Sequence, residues 1–525
     1  MEPKQRARQR AIEHALDWWP AYLAVASAIA LRLAILFSTG LVPQTDGAYY
    51  LAQVRSLLAG KGLRFSDTPL LFWVQAAVAR AFTAVTPLTI EAATIAGVKI
   101  VDAVVPPLAV LPIFALWLRW TPRERRSALA AITVAALPAL SFSLVHMTGD
   151  LQKNAFALVL LSFAFWAFDT ASRRNHALDW ALMGLALLGC ALSHVGVFAA
   201  AITFAVPAML YRVMAGAKSG PERARRAATL AVLGAGSVAL AYVLSLFIPK
   251  LGSLGPAMLS PLSLFSGETT FSRLAAGLGP GSLADTIEVV LAYAPLLAVA
   301  MLWRRCRPDG ATAAMLAGVS AATGVLACPF LGGIDGLRLH LMAYVPVSAL
   351  FAWAVGVARP RSAKVACVAM LIANALAVAP VIPQATMPTI AEESYPELLS
   401  LKERIDHFGS MVVVARHGLE WWAAWALDAA VVPTIGATPD LWERYDTVLL
   451  LQETKVRDDS PRPRRSGETP AKSYVEGTPP VDGATIMFEG RWYRLSRADS
   501  VLDLGKEFEG KQKAGAVPRP EPGKL

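Results

Sequence analysis

Charge and cysteine are both scarce in this chain of 525 residues. Only 17% of the residues are charged and 55% are hydrophobic, whereas a soluble protein of this length needs a more strongly charged surface. The few cysteines have no CxxC or metal-ligand spacing, so we interpret them as small apolar residues. They are Cys190, Cys306, Cys328 and Cys367.

Nucleotide-binding motifs are missing as well. The sequence has no GxxxxGK[ST] loop and no dinucleotide fingerprint after a strand, so a donor substrate is expected to arrive from the membrane. No cleavable signal peptide is expected, because the first apolar block lacks a small-residue cleavage site. The net charge of +10 does not indicate a nucleic-acid partner, since most Lys and Arg lie in short loops between apolar blocks.

Apolar blocks of about 18–25 residues recur along the chain, and this is the length that crosses a bilayer core of about 30 Å. Ala- and Leu-rich runs of this length are helical, since membrane strands would alternate over about ten residues. We therefore predict an all-α polytopic membrane domain of about eleven transmembrane helices. The spans are expected near 19–38, 95–118, 127–147, 153–169, 178–194, 196–211, 228–248, 286–303, 312–330, 338–357 and 364–383.

Basic residues set the predicted orientation. The first residues carry four Lys or Arg, which should stay in the cytoplasm by the positive-inside rule. The later basic loops, including 119–126, 304–307 and 359–364, then also lie inside. The sequence thus predicts a multi-pass protein of the plasma (inner) membrane, and its Ala, Arg and Gly content fits a bacterial cell envelope with periplasm outside.

Changes in composition mark the predicted domains. A small C-terminal α/β soluble domain is expected outside the membrane, with strands at Met411–Ala415 and Thr447–Leu451, a helix at Leu419–Ala430, and one or two strands at 487–495. The predicted boundaries are a cytoplasmic tail at 1–18, a membrane domain at 19–384 with interfacial helices in 42–94, an extracytoplasmic domain at 385–500 with a flexible insert at 455–482, and a disordered tail at 501–525.

Charged residues near the outer ends of apolar spans are the candidate functional residues, because placing a charged side chain near lipid costs free energy and is usually kept for a function. On the helix predicted to begin near Asp46, the side chains of Asp46, Tyr49, Tyr50 and Gln53 share one face. A carboxylate beside aromatic rings at the membrane surface can act as a general base on a hydroxyl group. The alternative is that Asp46 only caps the helix.

Three further clusters lie on the same predicted side. Asp150 could orient an acceptor or bind a metal, and Lys153 could hold a phosphate, although a helix cap and a snorkelling lysine are the plain alternatives. His194 is either a packed, hydrogen-bonded histidine or a site residue. Arg338 suits an anionic headgroup but also an interfacial anchor. The outer loop 249–285 adds Arg273, and Arg32 in the first span should face the protein interior or snorkel.

These segments resemble the GT-C superfamily of polytopic glycosyltransferases that use lipid-linked sugars, which includes protein O-mannosyltransferases, aminoarabinose transferases and the catalytic subunit of oligosaccharyltransferase. The resemblance covers about residues 20–360 and rests on short motifs. They are "TDGAYYLAQVRSLLAGKG", "SDTPLLFWVQAAVARAF", "TGDLQKNAFALVLLSFAFWAF", "LSHVGVF" and "GLRLHLMAYVPVSALFA".

The resemblance implies roles for individual residues. Asp46 would be the acidic residue of the first outer loop and Asp150 the second acid. Lys153 and Arg338 would bind the phosphate of the donor, and His194 matches a polar position of less defined role. The chain has single acidic residues where many relatives have an Asp-Glu pair or a DxD motif. The sequence therefore leaves open whether a divalent metal such as Mg or Mn is bound by Asp46 and Asp150.

The implied activity is inverting transfer of a sugar from a polyprenyl-phosphate donor to a lipid, glycan or protein acceptor on the outer membrane face. Tyr49, Tyr50 and Arg273 would contribute to substrate binding. A transporter or flippase of a lipid-linked substrate is the alternative from another class, although no paired halves with broken helices are evident. A non-catalytic relative with a GT-C-like membrane domain is a third possibility.

Overall fold

The computed structural model describes residues 3–215, 280–405, 409–457, 474–481 and 483–500, with isolated positions at 220, 221, 224, 228 and 269. The predicted span 228–248 beyond its first residue, most of the 249–285 loop with Arg273, residues 458–473 of the predicted insert, and the tail 501–525 lie outside these residues. The chain forms two compact units. The membrane unit comprises 1–36, 65–75 and 99–385, and the sheet unit comprises 37–64, 76–98 and 386–525.

Helices make up most of the described chain. Those that begin before residue 216 are α1 (Pro3–Leu36), α2 (Gly47–Leu58), α3 (Leu70–Val85), α4 (Ile90–Val104), α5 (Val110–Trp120), α6 (Ala128–Ala139), α7 (Phe142–His146), α8 (Gln152–Arg174), α9 (Ala177–Ser193) and α10 (Val195–Ala215). The later ones are α11 (Pro280–Cys306), α12 (Gly310–Leu326), α13 (Gly333–Met342), α14 (Tyr344–Val357), α15 (Pro360–Val378), α16 (Ile382–Ala385), α17 (Tyr395–Ile405), α18 (Leu419–Leu427) and α19 (Leu441–Arg444).

Seven helices of the described chain are long and apolar enough to cross a membrane, and they coincide with seven of the eleven predicted spans. They are Leu16–Leu36, Ile90–Trp120, Ala128–His146, Gln152–Arg174, Val195–Ala215, Val289–Cys306 and Pro360–Val378. The spans predicted near 178–194, 312–330 and 338–357 appear as shorter apolar helices. A mostly helical membrane protein is therefore confirmed, while the number eleven stays a prediction.

Prolines interrupt two of the predicted spans. The span near 338–357 is divided at Ala343, between α13 and α14. Pro346 follows the division; it cannot donate to the carbonyl of Met342, and its ring would clash with that carbonyl in a continuous helix. Pro106 and Pro107 similarly divide the span at 90–120, where a 3₁₀ turn at Pro106–Ala109 joins α4 to α5.

A buried ion pair ties together several helices of the membrane unit. Arg32 of α1 is only 1% exposed, so it faces the protein interior as its cost in lipid requires. Its guanidinium donates to the carboxylate of Asp102 at 2.6 Å and to the carbonyl of Asp102 at 2.8 Å. Proline at position 106 removes the N–H that would pair with this carbonyl in a regular helix, so Arg32 supplies the missing donor.

The same guanidinium also reaches the end of α7. It donates to the carbonyl of Leu144 at 2.5 Å and to the hydroxyl of Thr148 at 2.7 Å. The other oxygen of the Asp102 carboxylate accepts the backbone N–H of Gly149 at 2.8 Å. The pair therefore fixes α1, α4 and the turn at 147–151 in one arrangement.

The sheet unit contains a five-stranded sheet in the order β2-β1-β3-β7-β6. Its strands are β1 (Met411–Ala415), β2 (Ala430–Pro433), β3 (Thr447–Glu453), β6 (Thr485–Glu489) and β7 (Tyr493–Arg497), while β4 (Lys455–Arg457) and β5 (Tyr474–Glu476) form a separate antiparallel pair. β1 runs parallel to both β2 and β3, and β7 is antiparallel to β3 and β6.

Burial fits the position of β1 inside the sheet. Val412, Val413 and Val414 of β1, which lies between β2 and β3, have no exposed surface, so both faces of this strand are covered, as is typical of parallel strands. The strands predicted at 411–415 and 447–451 are observed, and the apolar run at 487–495 becomes the hairpin of β6 and β7. The segment 455–482, predicted to be flexible, contains the paired strands β4 and β5.

The four cysteines are free thiols in three different environments. Cys190 and Cys367 are buried, as expected of small apolar residues, and Cys328 is half-buried. Cys306 is exposed, because it is the last residue of α11 and the basic segment 304–307 begins beside it.

We expect Arg32→Met to destabilise the protein by about 3–5 kcal/mol, because it leaves the Asp102 carboxylate buried without its cation. The double variant Arg32→Met/Asp102→Leu should recover part of this loss, since it removes both charges. Thermal unfolding in detergent measures the effect, with the exposed Arg361→Gln as a control. A single variant as stable as the wild type would show that the pair does not hold the helices.

Candidate functional site

The carboxylate of Asp46 is held by an indole of the C-terminal region within the sheet unit. Asp46 precedes the first turn of α2, but its side chain makes no hydrogen bond to the N–H groups of that turn. Instead it accepts a hydrogen bond of 3.1 Å from Nε1 of Trp421 in α18. The capping alternative is therefore not what orients this carboxylate.

Two tyrosine rings pack next to the indole that holds this carboxylate. The ring of Tyr49 packs edge-on against Trp421 with 5.0 Å between centroids, and against Tyr50 with 5.5 Å. The hydroxyl of Tyr49 accepts a hydrogen bond of 3.1 Å from Gln53, one turn further along α2. Both tyrosines are at least nine-tenths buried, so their packing helps to hold the indole of Trp421 in place.

Arg55 attaches α2 to the end of α18. Its guanidinium donates to the carbonyls of Ala424 and Trp425 at 3.1 and 2.6 Å, and it lies 4.7 Å from the centroid of the Trp425 ring. A cation at a helix C-terminus satisfies carbonyls that have no partner within the helix and complements the helix dipole. This contact fixes the helix that carries Trp421.

Asp428 strengthens the same attachment. Its carboxylate pairs with Arg55 at 3.0 Å and with Arg64, which also donates to the carbonyl of Ala429 at 2.6 Å. Partial burial alone would raise the pKa of Asp428, but the hydrogen bond from Arg64 and the charges of both arginines hold this pKa below its ordinary value. The contribution to stability is therefore present above the ordinary pKa and is lost only as the pH falls through the lowered one.

Sequence reasoning missed several polar residues next to Trp421. The ring of His417 lies 6.4 Å from that of Trp421, and its Nδ1 is 2.8 Å from the buried carboxylate of Glu420. Arg416 pairs with Glu453 at the end of β3. The signal in the sequence was the run "ARHGLEWW", but nothing in it indicated that this helix packs on the first loop.

We expect Arg55→Ala to loosen α18, because two carbonyls at its C-terminus lose their donor. Amide hydrogen exchange across 419–427 should become at least several-fold faster, measured by mass spectrometry. Arg64→Ala is the matched control, since Arg64 binds Asp428 and Ala429 but neither helix carbonyl. Equal effects of the two variants would contradict a specific role for the Arg55 contact with the helix end.

In the membrane unit, Asp150 lies in the turn between α7 and α8. The turn depends on Gly149, whose φ of +85° is strained for residues with a side chain. The backbone N–H of this glycine is held by the carboxylate of Asp102, as described above. Asp150 is half-buried, so its carboxylate sits at the end of a turn that the buried ion pair positions.

Lys153, one residue into α8, forms an ion pair with Asp67. The side chains of Lys153 and Asp67 are 12% and 1% exposed, and the ammonium lies 5.9 Å from the centroid of the Phe72 ring. The contact with Asp67 means that an anion binding to Lys153 has to share the ammonium with a carboxylate already present.

His194 lies at the junction of α9 and α10. Its Nδ1 accepts the backbone N–H of Val197 at 3.3 Å, which places the ring at the start of α10. The neighbouring carbonyl of Ser193 accepts a hydrogen bond of 2.7 Å from Thr68. Because Asp67 binds Lys153 and Thr68 binds Ser193, this two-residue segment brings the Lys153 and His194 regions together.

Arg338 is exposed on α13. The same helix packs against α7 and α8, and the side chain of its last residue, Met342, lies next to Gly196 and the ring of His194. The membrane unit therefore gathers Asp150, Lys153, His194 and the helix of Arg338 around the start of α8. Asp46, Tyr49 and Tyr50 belong to the sheet unit, and Arg273 lies outside the described residues.

Metal ligands do not cluster in the part of the chain that the structure describes. Within it, no group of three or more His, Cys, Asp or Glu side chains is close enough to hold a metal ion. A divalent cation usually takes several oxygen ligands, so single carboxylates such as Asp46 and Asp150 are a poor fit for one.

Comparison with known proteins bears on the fold. No protein-family model matches this chain, and no curated protein matches its sequence. Solved structures with a similar fold include the Archaeoglobus fulgidus oligosaccharyltransferase in complex with Zn and sulfate, with a TM-score of 0.53, 13% identity, and coverage of 81% of this chain and 67% of that chain. Also similar is apo ArnT from Cupriavidus metallidurans, with a TM-score of 0.47, 12% identity, and coverage of 92% and 98%.

The similarity to the oligosaccharyltransferase establishes the fold class. A TM-score above 0.5 over most of this chain shows a GT-C-like membrane fold, which confirms the resemblance inferred from the sequence motifs. At 13% identity it shows the fold alone, so residue roles depend on the geometry of this chain.

Proposed function

We propose that this chain is an inverting glycosyltransferase that moves a sugar from a polyprenyl-phosphate donor to a lipid, glycan or protein acceptor on the outer membrane face. The observation that carries this proposal is the carboxylate of Asp46, held by the indole of Trp421 in a GT-C-like fold. The similar structure from Archaeoglobus fulgidus is an oligosaccharyltransferase, which supports a transferase in general terms.

Asp46 is the proposed general base. It would accept the proton of the acceptor hydroxyl as the oxygen attacks the anomeric carbon of the donor sugar and the bond to the lipid phosphate breaks. The hydrogen bond from Nε1 of Trp421 orients the carboxylate, and a carboxylate oxygen has further lone pairs with which to accept a proton. Tyr49 and Tyr50, which follow Asp46 by about one helical turn, are proposed to contribute to substrate binding.

Lys153 and Arg338 are the proposed ligands of the departing phosphate. Negative charge develops on this phosphate as the bond breaks, and cations that are already in place stabilise it. Lys153 would exchange part of its contact with Asp67 for the phosphate, whereas Arg338 is exposed and presents a guanidinium fork that suits phosphate oxygens. In this proposal Asp150 orients the acceptor, and His194 lines the same part of the membrane unit.

A metal has no step in this mechanism. The similar oligosaccharyltransferase structure contains Zn, whereas among the described residues of this chain no three His, Cys, Asp or Glu side chains are close enough to hold a metal ion. The proposed base and phosphate ligands act through proton transfer and charge, and both roles are filled by side chains of this chain.

We expect Asp46→Asn to lower sugar transfer about 10²–10⁴-fold, because the amide cannot accept the proton. Trp421→Phe should cause a smaller loss, since it removes only the hydrogen bond that positions the base. The assay follows consumption of labelled polyprenyl-phosphate sugars by purified protein after addition of a membrane extract as acceptor source. Glu91→Gln, an exposed carboxylate of the same unit, is the control.

Two results would contradict this assignment. Full transfer activity in Asp46→Asn would exclude this carboxylate as the base. Movement of the lipid-linked sugar across the membrane without its consumption would favour the transporter alternative. Unchanged thermal unfolding of each variant separates a chemical effect from a folding defect.

The proposed reaction requires the base to lie outside the cell. The basic segments at 119–126, 304–307 and 359–364 favour a cytoplasmic position for the end of the membrane unit that carries them. In the proposed orientation the N-terminus is cytoplasmic and the region after residue 385 is extracytoplasmic.

Two exposed positions test the orientation, namely native Cys306 and an introduced cysteine in the Ala59→Cys variant. The first variant, Ala59→Cys/Cys306→Ser/Cys328→Ser, reports the introduced cysteine, and a membrane-impermeant maleimide should label it in intact cells. The second variant, Cys328→Ser, reports native Cys306, which the same reagent should not label in intact cells. Both should react after permeabilisation, which shows that both thiols are accessible. Labelling of native Cys306 in intact cells would reverse the proposed orientation.

A further inference from the structure

A large open groove lies at the end of the membrane unit that carries the basic loops. Its volume is about 1340 Å³, and its walls come from α5, α11, α14 and α15. The walls are apolar over most of their length. They include Trp120, Met301, Leu302, Phe351, Ala366 and Met370. The residues proposed for sugar transfer do not line it.

The length of the groove matches one leaflet of a bilayer. Along α11 the lining runs from Ala294 to Cys306, and along α15 from Pro360 to Met370. At 1.5 Å per residue these walls are about 18 and about 15 Å long, or roughly half of a hydrocarbon core of about 30 Å. A lipid acyl chain entering from the basic end would therefore extend to about the middle of the membrane.

Arginines occur at the mouth of this groove. Arg125 lies between α5 and α6, Arg305 in the last turn of α11, and Arg359 just before α15, and all three are exposed lining residues. Arg125 also donates to the carbonyl of Val357 at 3.3 Å, which holds it against the end of α14. No acidic residue occurs among the described residues that line the groove, so the mouth carries unbalanced positive charge.

The two principal walls belong to the helices that bury least surface. Only 17% of the span in α11 and 22% of the span in α15 is buried, compared with 33–72% for the other five candidate spans. Met301 in α11 and Val365 in α15 are 70% and 71% exposed. These helices therefore offer apolar surface that some membrane component has to cover.

We propose that this groove is a binding site for an anionic phospholipid, whose phosphate contacts Arg125, Arg305 and Arg359 and whose acyl chain lies between α11 and α15. One guanidinium group can donate two parallel hydrogen bonds to two oxygens of a phosphate, and the apolar walls suit the hydrocarbon of an acyl chain. In the proposed orientation this lipid belongs to the cytoplasmic leaflet. A second copy of the chain fits less well, because a two-fold axis at the groove would bring like charges together.

Native mass spectrometry of the delipidated full-length protein tests the site, with phosphatidylglycerol and phosphatidylcholine as probes. The wild type should bind phosphatidylglycerol in preference to phosphatidylcholine. The triple variant Arg125→Gln/Arg305→Gln/Arg359→Gln should bind phosphatidylglycerol about tenfold or more weakly, since several basic side chains add their attraction to an anionic lipid. The matched control is Arg123→Gln/Arg304→Gln/Arg361→Gln, which removes the same charge from the same three segments of the chain, at exposed positions that do not line the groove.

Cys306 provides a second readout, because this exposed thiol lines the groove. Phosphatidylglycerol should slow its alkylation in the wild type and in the control variant, but not in the groove variant. Equal loss of binding in both triple variants would show a general basic surface and overturn the proposal. Equal protection by phosphatidylcholine, or protection that depends on protein concentration without lipid, would also overturn it. No readout depends on sugar transfer, so failure here is distinct from failure of the proposed enzyme activity.

Discussion

The guanidinium of Arg32 is the constraint on which much of the membrane unit depends. A buried charge within a membrane protein is costly unless its donors all find partners, and here they reach a carboxylate, two carbonyls and a hydroxyl. Meeting that requirement fixes α1, the proline-broken end of α4, and the turn after α7. The position of Asp150 follows from this packing, because the carboxylate of Asp102 also holds the N–H of Gly149.

In the sheet unit a contact of another arginine has a comparable effect, and this arginine binds the C-terminal end of a helix. Arg55 binds the last carbonyls of α18, and this helix presents Trp421 to the carboxylate of Asp46. The first loop and the C-terminal region are therefore parts of one compact unit. A region whose role could not be assigned from its sequence thus supplies the side chain that orients the proposed base.

The two proposed lipid-phosphate contacts, one at Lys153 and one at the mouth of the groove, differ in whether the cation already has a carboxylate beside it. Lys153 is already paired with Asp67 in a largely buried position, so a phosphate bound there would replace part of an existing interaction. Such an exchange favours reversible binding, as a substrate or leaving group requires. The three arginines at the mouth of the groove are exposed, and the described residues that line the groove include no acidic side chain, which suits a lipid that stays bound.

The sequence by itself determined the helical membrane fold, seven of its spans, and the strands at 411–415 and 447–451, because apolar run length and β-branched composition act locally. It also indicated the polar clusters at Asp46, Asp150 and Lys153. Only the tertiary structure decided their partners. Asp102, Asp67 and Trp421 lie between 70 and 375 residues from the side chains they bind, and no local pattern encodes a contact over such a separation.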